Sequence, residues 1–411
     1  CGAGDRGPDW MAMSDIDEFP VADELRARVT AELKALLTER TASSRSTVLG
    51  AGSNDLAPGR HFLRLLADGG YMTPNWPADH GGMGLDRAAS DVVTEVRAGF
   101  EAPDLYPWMV GIDLVGPTIL AHGDAEQAHR WLPPIRTGTE IWCQLFSEPD
   151  AGSDLANVKT RAIRDGDSWR VSGSKVWTSR GHYSQWGLLL ARSDGSQPKH
   201  RGITAFGLDL RTPGVTVRPL VQMNGDAHFN EVFLDDVVIP DSDRIGAPGE
   251  GWRVAITCLS HERGALAGGL GVSPDQLLAL GRSPGVSGDA VRTDRLTRAL
   301  SELRIGQWSG ERALAARRAG QAPGPEGSLA KLATNALIRD VSGLGLESEG
   351  PAATVDDRTD EWQTMWLVSP SLSIRGGTDE IQRNIIGERA LGLPPEPRLD
   401  KDRPFDERPD L

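Results

Sequence analysis

Gly376, Gly377 and Thr378 lie near the start of the stretch SIRGGTDEIQRNIIGERALGLP (Ser373 to Pro394), and their residue types suit the binding of an oxyanion. Thr378 is a good helix N-cap. Asp379 and Glu380 fall in the first turn, where acidic side chains complement the helix dipole. Ile381, Ile385 and Ile386 recur on one face, and Gly392 and Pro394 mark a stop, so the pattern predicts a helix over 378–391. Glycines ahead of a helix let another group approach the backbone, and the free N–H groups there attract anions. A plain tight turn before a helix uses the same residues. A second stretch, QLFSEPDAGSDLANVKTRA (Gln144 to Ala162), mixes Pro149, Gly152 and several Ser and Asp residues. It can hold a bent backbone with outward N–H groups, which suits a phosphate or the edge of a flavin. A third, GSKVWTS, carries Lys175, Trp177 and Ser179. Trp177 can stack on an aromatic cofactor or pack half-buried in a strand.

These stretches need elements to hold them. From about 20 to 135 the periodicity is helical, with NWPADHGGMGL as a Pro/Gly loop. GDAEQAHRWLPPI reads as a short helix led by Asp124 and ended by Pro133 and Pro134. From about 140 to 245 short β-type runs alternate with turn residues. They follow too closely for helical crossovers, so the sheet is expected to be an antiparallel barrel or sandwich. After Gly251 the chain is helical again, with loops at GRSPGVSGDA and RAGQAPGPEGS. The expected divisions are an N-terminal helical domain over 20–139, a β-domain over 140–247, a helical bundle over 248–395 and a tail over 396–411. Residues 1–19 read as disordered or as an extension, with Met11 or Met13 as a natural start. Their G-x-G-x-x-G (Gly2, Gly4, Gly7) follows no strand and is no dinucleotide fingerprint.

A net charge of −14 argues against nucleic acid or an anionic membrane surface as partner. No apolar run approaches the roughly 20 residues of a membrane span, and no signal-peptide pattern is present. Cys1, Cys143 and Cys258 give no disulfide framework, and neither they nor the eight histidines have metal-ligand spacing. A cytoplasmic protein without a metal is expected.

Taken together and in order, NWPADHGGMGL, GDAEQAHRWLPPI, FSEPDAGSDLANVKT, GSKVWTS, FNEVFLDDVVIP, HERGALAGGLG and GGTDEIQRNIIGERALG resemble the acyl-CoA dehydrogenase family. Those flavoproteins oxidise acyl thioesters to α,β-enoyl thioesters. The resemblance implies an N-terminal helical domain, a central β-domain and a C-terminal four-helix bundle, with FAD between the last two. It implies paired subunits, as a homotetramer (dimer of dimers) or a mixed oligomer, and electron-transfer flavoprotein or a similar acceptor. It places FAD contacts at Gln144, Phe146, Ser147, Gly152, Ser153, Trp177, Ser179, Gly377, Thr378 and Glu380, with Ser153 also on the substrate side.

Many members carry a glutamate, the catalytic base, immediately before the Gly-Thr pair; here that residue is Gly376. The α-C–H of a thioester is a weak acid, and a positioned carboxylate is suited to take its proton as hydride leaves Cβ. A minority, including isovaleryl-CoA and long-chain members, place the base on an earlier helix before an arginine. Glu262–Arg263 in CLSHERGALAGGLG matches that position. The resemblance thus implies Glu262 as base and Arg263 as a substrate contact. The N–H of Gly376 remains able to polarise the thioester carbonyl, beside a flavin hydroxyl. Two family segments have no clear counterpart: GRSPGVSGDAVRTD and GLGLESEGPAA stand where residues reaching the ADP end of FAD are usual. The leading expectation is FAD-dependent dehydrogenation of an acyl thioester carried by CoA or a carrier protein. The alternatives are a flavin monooxygenase or oxidase on the same fold, or a degenerate partner subunit of a mixed oligomer.

Overall fold

The computed structural model describes residues 19–40, 54–266, 272–321, 324–355, 361–397, 400 and 402–407. Residues 1–18 of the expected extension lie outside that set, as do parts of the tail. The chain divides into two compact units, Cys1–Arg45 with Leu65–Ala102, and Ser46–Arg64 with Pro103–Leu411.

The first unit contains α1 (Phe19–Lys34), the end of α2 (Ala57–Ala67) and α3 (Arg87–Ala98). Val29 and Leu33 on α1, and Val92, Val93 and Val96 on α3, are buried at helical spacing. Asp86 caps α3 by accepting from the Ala89 N–H at 2.9 Å.

In the second unit, α4 (Tyr106–Met109) runs through a π-helical turn at Val110–Val115 into α5 (Gly116–His122) and α6 (Ala125–Arg136). Asp124 does lead α6, in a capping box with Gln127. Pro133 and Pro134 do not end it; they lie inside its last turn. The carbonyls they leave without N–H partners belong to His129 and Arg130, both exposed, so water can take those bonds.

The β-runs form β1 (Trp142–Leu145), β2 (Arg161–Asp165), β3 (Ser168–Ser179), β4 (Trp186–Arg192), β5 (Ile203–Asp209), β6 (Val215–Leu220), β7 (Phe229–Pro240) and β8 (Arg244–Ile245). They join one sheet in the order β6-β7-β3-β2-β4-β5-β8, with β1 on β4. Its consecutive pairs β2–β3, β4–β5 and β6–β7 are antiparallel, as expected, and so are β3–β7 and β5–β8. β1 and β2, however, pair parallel with β4. Close spacing of consecutive runs excludes helical crossovers, but it leaves strands distant in sequence free to pair. β4 is buried at every residue, while β6 alternates towards solvent. Cys143, Leu145, Val171, Leu189, Phe206 and Val232 share the core.

The C-terminal helices are α7 (Gly251–Leu266), α8 (Pro274–Arg282), α9 (Ala290–Arg318), α10 (Glu326–Glu349), α11 (Ala352–Val355), α12 (Glu361–Leu372) and α13 (Asp379–Arg389). α10 packs on α9, α12 and α13 around Leu280, Leu337, Val341, Leu344 and Met365. The GLGLESE run continues α10 as helix. A Cβ on Gly345 would stand 2.4 Å from Trp362, so only glycine admits so close an approach to α12. No described helix is long and apolar enough to cross a membrane.

Candidate active site

The loop after β1 is held from inside. Glu148, 7% exposed, accepts from the N–H groups of Lys159 (2.6 Å) and Thr160 (3.0 Å) and from Lys175 Nζ (2.7 Å). Lys175 is fully buried on β3 and also donates to the Phe146 carbonyl at 3.1 Å. The buried Arg192 donates to the carbonyls of Ala156 (2.6 Å) and Val158 (3.3 Å). Burial alone would raise the Glu148 carboxyl, but the Lys175 ammonium and the N–H donors outweigh it and hold it below the ordinary range. Burial lowers Lys175 to about 8 against the pull of Glu148, so it remains protonated at neutral pH. Gly152 and Ser153 stand exposed at the loop tip, and their N–H groups bond no described residue. Phe146 is buried, Ser147 half-buried, and the Ser147 carbonyl accepts from Val176 N at 2.9 Å. Gln144 donates to Cys258 Sγ of α7 at 3.3 Å.

Trp177 sits in an irregularity of the β3–β7 ladder, where the register shifts between Lys175 and Thr178. Its φ is +62°, and its side chain is 61% exposed, edge-on to Phe229 at 5.9 Å. A bulky residue at positive φ is an outlier, and a bulge beside a site commonly re-aims a side chain. The half-buried strand position allowed by the sequence is therefore not what the fold uses. Ser179, half-buried, closes β3 opposite Phe229.

Gly376 (φ +64°) and Gly377 (φ +87°) form a left-handed turn, and Thr378 caps α13 by accepting from the Ile381 N–H at 3.3 Å. The carbonyls of this turn are tied back. Lys331 Nζ of α10 bonds the Arg375 carbonyl at 2.5 Å and also that of Gly377. Gln382 Nε2 reaches the carbonyls of Gly376 and Gly377, each at 3.2 Å. Asn335 Nδ2 holds Asp379 at 2.8 Å. The N–H groups of Gly376, Gly377 and Thr378 bond no described residue. Gln382 is consequently the buried residue of α13, whereas Ile381, Ile385 and Ile386 are only half-buried. Glu380 is exposed. Sequence periodicity points to the isoleucines and misses Gln382, Lys331 and Asn335, because polar side chains that serve carbonyls leave no periodic trace.

A substitution tests the clamp. A Cβ on Gly377 would meet Gln382 Nε2 at 2.7 Å, in a backbone region that side chains disfavour. Gly377→Ala is expected to destabilise the chain by about 1–2 kcal/mol from backbone conformation alone, and to lose the Gln382 bonds besides. An unchanged urea midpoint would show that the turn is not held as described.

The structure joins these segments. The Ser147 loop bonds the strand that carries Trp177, and Trp177 touches Phe229, whose neighbour His228 feels the charge of Arg375 beside Gly376. Glu262 and Arg263 lie on the backbone of α7, one turn beyond Cys258, but their side chains lie outside the described residues. Buried Thr178 Oγ1 and Asn230 Nδ2 find no partner among the described residues. Unbonded amides at two loops, orphaned polar atoms and an uncovered indole fit a flat polar ring system such as a flavin.

Comparison with known proteins agrees with this geometry. Family models for acyl-CoA dehydrogenase match the chain over 25–139 (N-terminal domain), 143–237 (middle domain) and 249–391 (C-terminal domain). Acyl-CoA dehydrogenase IpdE1 of Mycobacterium tuberculosis is 38% identical over 405 residues, covering 93% of this chain and 99% of that one. Among solved structures, the Tcur3481-Tcur3483 steroid ACAD is 26% identical, with a TM-score of 0.75 over 93% of this chain and 100% of that one. The ChsE4-ChsE5 complex of Mycobacterium tuberculosis is 29% identical, with a TM-score of 0.70 over 92% and 98%. With its domains matched from end to end and its helix–sheet–helix order shared, the chain belongs to the acyl-CoA dehydrogenase family, whose members are FAD-dependent oxidoreductases.

Proposed function

We propose that this protein dehydrogenates an acyl thioester between Cα and Cβ, giving a trans-enoyl thioester. The observation that carries the reading is the Gly376–Thr378 turn, with carbonyls tied back by Lys331 and Gln382 and amides left unbonded. The N–H of Gly376 donates to the thioester carbonyl, stabilising the negative charge that grows on its oxygen as the α-proton leaves. Glu262 accepts that proton, and Arg263 and Ser153 position the substrate. FAD, when bound, would supply the two-electron acceptor for the hydride leaving Cβ, and loss of that hydride together with the α-proton would give the C=C bond. Gln144, Phe146, Ser147, Gly152, Ser153, Trp177 and Ser179 on the β side, and Gly377, Thr378 and Glu380 on the helical side, are the residues proposed to hold it.

A mixed oligomer is supported by the similar protein of Mycobacterium tuberculosis, which was solved as a ChsE4-ChsE5 complex. Electron-transfer flavoprotein, or an acceptor like it, would reoxidise the enzyme, and the cytoplasm is the proposed location. The test is anaerobic titration of the FAD-loaded protein with acyl thioesters on CoA and on carrier protein. Bleaching of the flavin band is the expected result. A protein that takes up no FAD, alone or with a partner chain, or that no thioester bleaches, would sink the reading. Rapid reoxidation by oxygen would instead favour the oxidase alternative.

A further inference from the structure

Arg375, the residue before the Gly376 turn, is largely withdrawn from water, and its Nε and Nη2 bond nothing among the described residues. Burial lowers its pKa, only Tyr106 opposes that effect, and no described carboxylate acts on it. A second guanidinium, Arg180, acts with Arg375 on the His228 ring and shares Tyr106 with it. Arg180 is 3% exposed, held at φ +55°, and its Nε is also unpartnered. Its nearest carboxylate oxygen, Asp104 Oδ2, is 3.7 Å from Nη2, too far for a hydrogen bond, and is itself unsatisfied. Arg180 stacks over Tyr106 at 5.2 Å, and Tyr106 meets the edge of His228 at 6.5 Å. The His228 ring bonds Gln222 at 2.9 Å; burial, then the charge of Arg180, with Arg375 adding to it, press it to about 4, so it is neutral. Asp226, 3.9 Å from His228 and a third exposed, is bonded to Asn224. Asp104 is therefore the one described carboxylate within 4 Å of Arg180, and no described carboxylate acts on Arg375.

We propose that Arg375 and Arg180 receive a carboxylate carried on the acyl part of the thioester substrate. The inference rests on the thioester reading of the adjoining turn. Burying a cation without a counter-ion is costly, and a guanidinium presents a fork that matches a carboxylate in two parallel hydrogen bonds. With Asp104 beside Arg180 only, the two cations carry a single excess positive charge, which one carboxylate neutralises. A cofactor diphosphate brings two negative charges, and such groups are commonly cradled by backbone N–H groups at a glycine-rich turn. Arg375 is also joined directly to Gly376, whose amide is assigned to the thioester carbonyl, so an anion there belongs to the same substrate.

The experiment compares thioesters ending in a carboxylate with the same chains ending in a methyl group, over a range of lengths. Binding to the FAD-loaded protein is read by calorimetry under anaerobic conditions, which requires no turnover. The best-matched carboxylate is expected to bind about 10–100-fold more tightly than its methyl counterpart, the worth of a charge-assisted bond. Arg375→Gln should bring that ratio close to one, and Arg375→Lys, which keeps the charge but not the fork, should retain part of it. The unaltered protein gives the first comparison, so the result does not depend on a variant folding. No preference at any length would overturn the proposal. Equal weakening of both series in Arg375→Gln would also overturn it, because the side chain would then support the shape of the site and not the carboxylate. Loss of FAD in that variant would assign the fork to the cofactor. If carboxylated thioesters bind more tightly but none bleaches the flavin, the dehydrogenation reading fails and this one stands.

Discussion

Glu262→Gln should lower flavin reduction by thioester about 10²–10⁴-fold, the usual worth of a positioned general base, and leave FAD content unchanged. The amide keeps the size of the side chain but cannot take the α-proton. Stopped-flow reduction at saturating thioester isolates this step from binding. The paired variant Glu262→Gln with Gly376→Glu should recover part of the rate if both positions face one α-carbon. The recovery is opposed by the Gly376 backbone, at φ +64°, where a side chain costs about 1–2 kcal/mol. Wild-type reduction rates in Glu262→Gln would make that residue a structural charge and remove it from the mechanism.

Separating Glu148 from Lys175 should cost about 3–5 kcal/mol of stability, the range for breaking a buried ion pair by removing one partner. Glu148→Gln is the harsher test: a fully buried ammonium loses its counter-charge and keeps only neutral acceptors, the amide oxygen and the Phe146 carbonyl at 3.1 Å. Lys175→Met leaves the Glu148 carboxylate with two N–H donors. The double variant should be less damaging than the sum of the singles, because neither charge is then left behind. Urea midpoints of the four proteins decide the matter, and additive losses would mean that the two groups are not coupled. The pair also sets an acid limit. The folded pKa of Glu148 is depressed from an ordinary 4.5, so its contribution is present above that value and lost as pH falls through the lower folded one. FAD retention should fall over the same acid range.

Thr378 as a cap, Asp124 as a cap and the change from helical to β-type periodicity near residue 140 were legible in the sequence, because each depends on neighbours within a few residues. The misses depend on distance. β1 meets β4 in register Trp142 to Trp186, and no local pattern encodes a pairing across that interval. Lys175 is conspicuous in GSKVWTS, yet its partner Glu148 lies 27 positions away. Trp177 is exposed through a one-residue irregularity in the ladder, which β-branched and aromatic composition does not announce. Pro133 and Pro134 mislead for the opposite reason: the rule that prolines end helices assumes that the orphaned carbonyls matter, and here they belong to exposed residues, His129 and Arg130. Arg375 and Arg180 flank the motifs without belonging to them, so only burial and the absence of described partners draw attention to them.

The loop after β1 is restrained by Glu148, Lys175 and Arg192, groups drawn from the loop itself, β3 and β4. Such a loop has little conformational entropy left to surrender. A flexible loop would give back part of its binding energy as the cost of becoming ordered, roughly 1–2 kcal/mol for each backbone residue fixed. Here that cost was met when the sheet formed. With Gly152 and Ser153 in their proposed role, the same contacts set folding and cofactor affinity, and a mutation in the interior of β3 or β4 should weaken binding by returning freedom to that loop without altering an atom that touches the bound group.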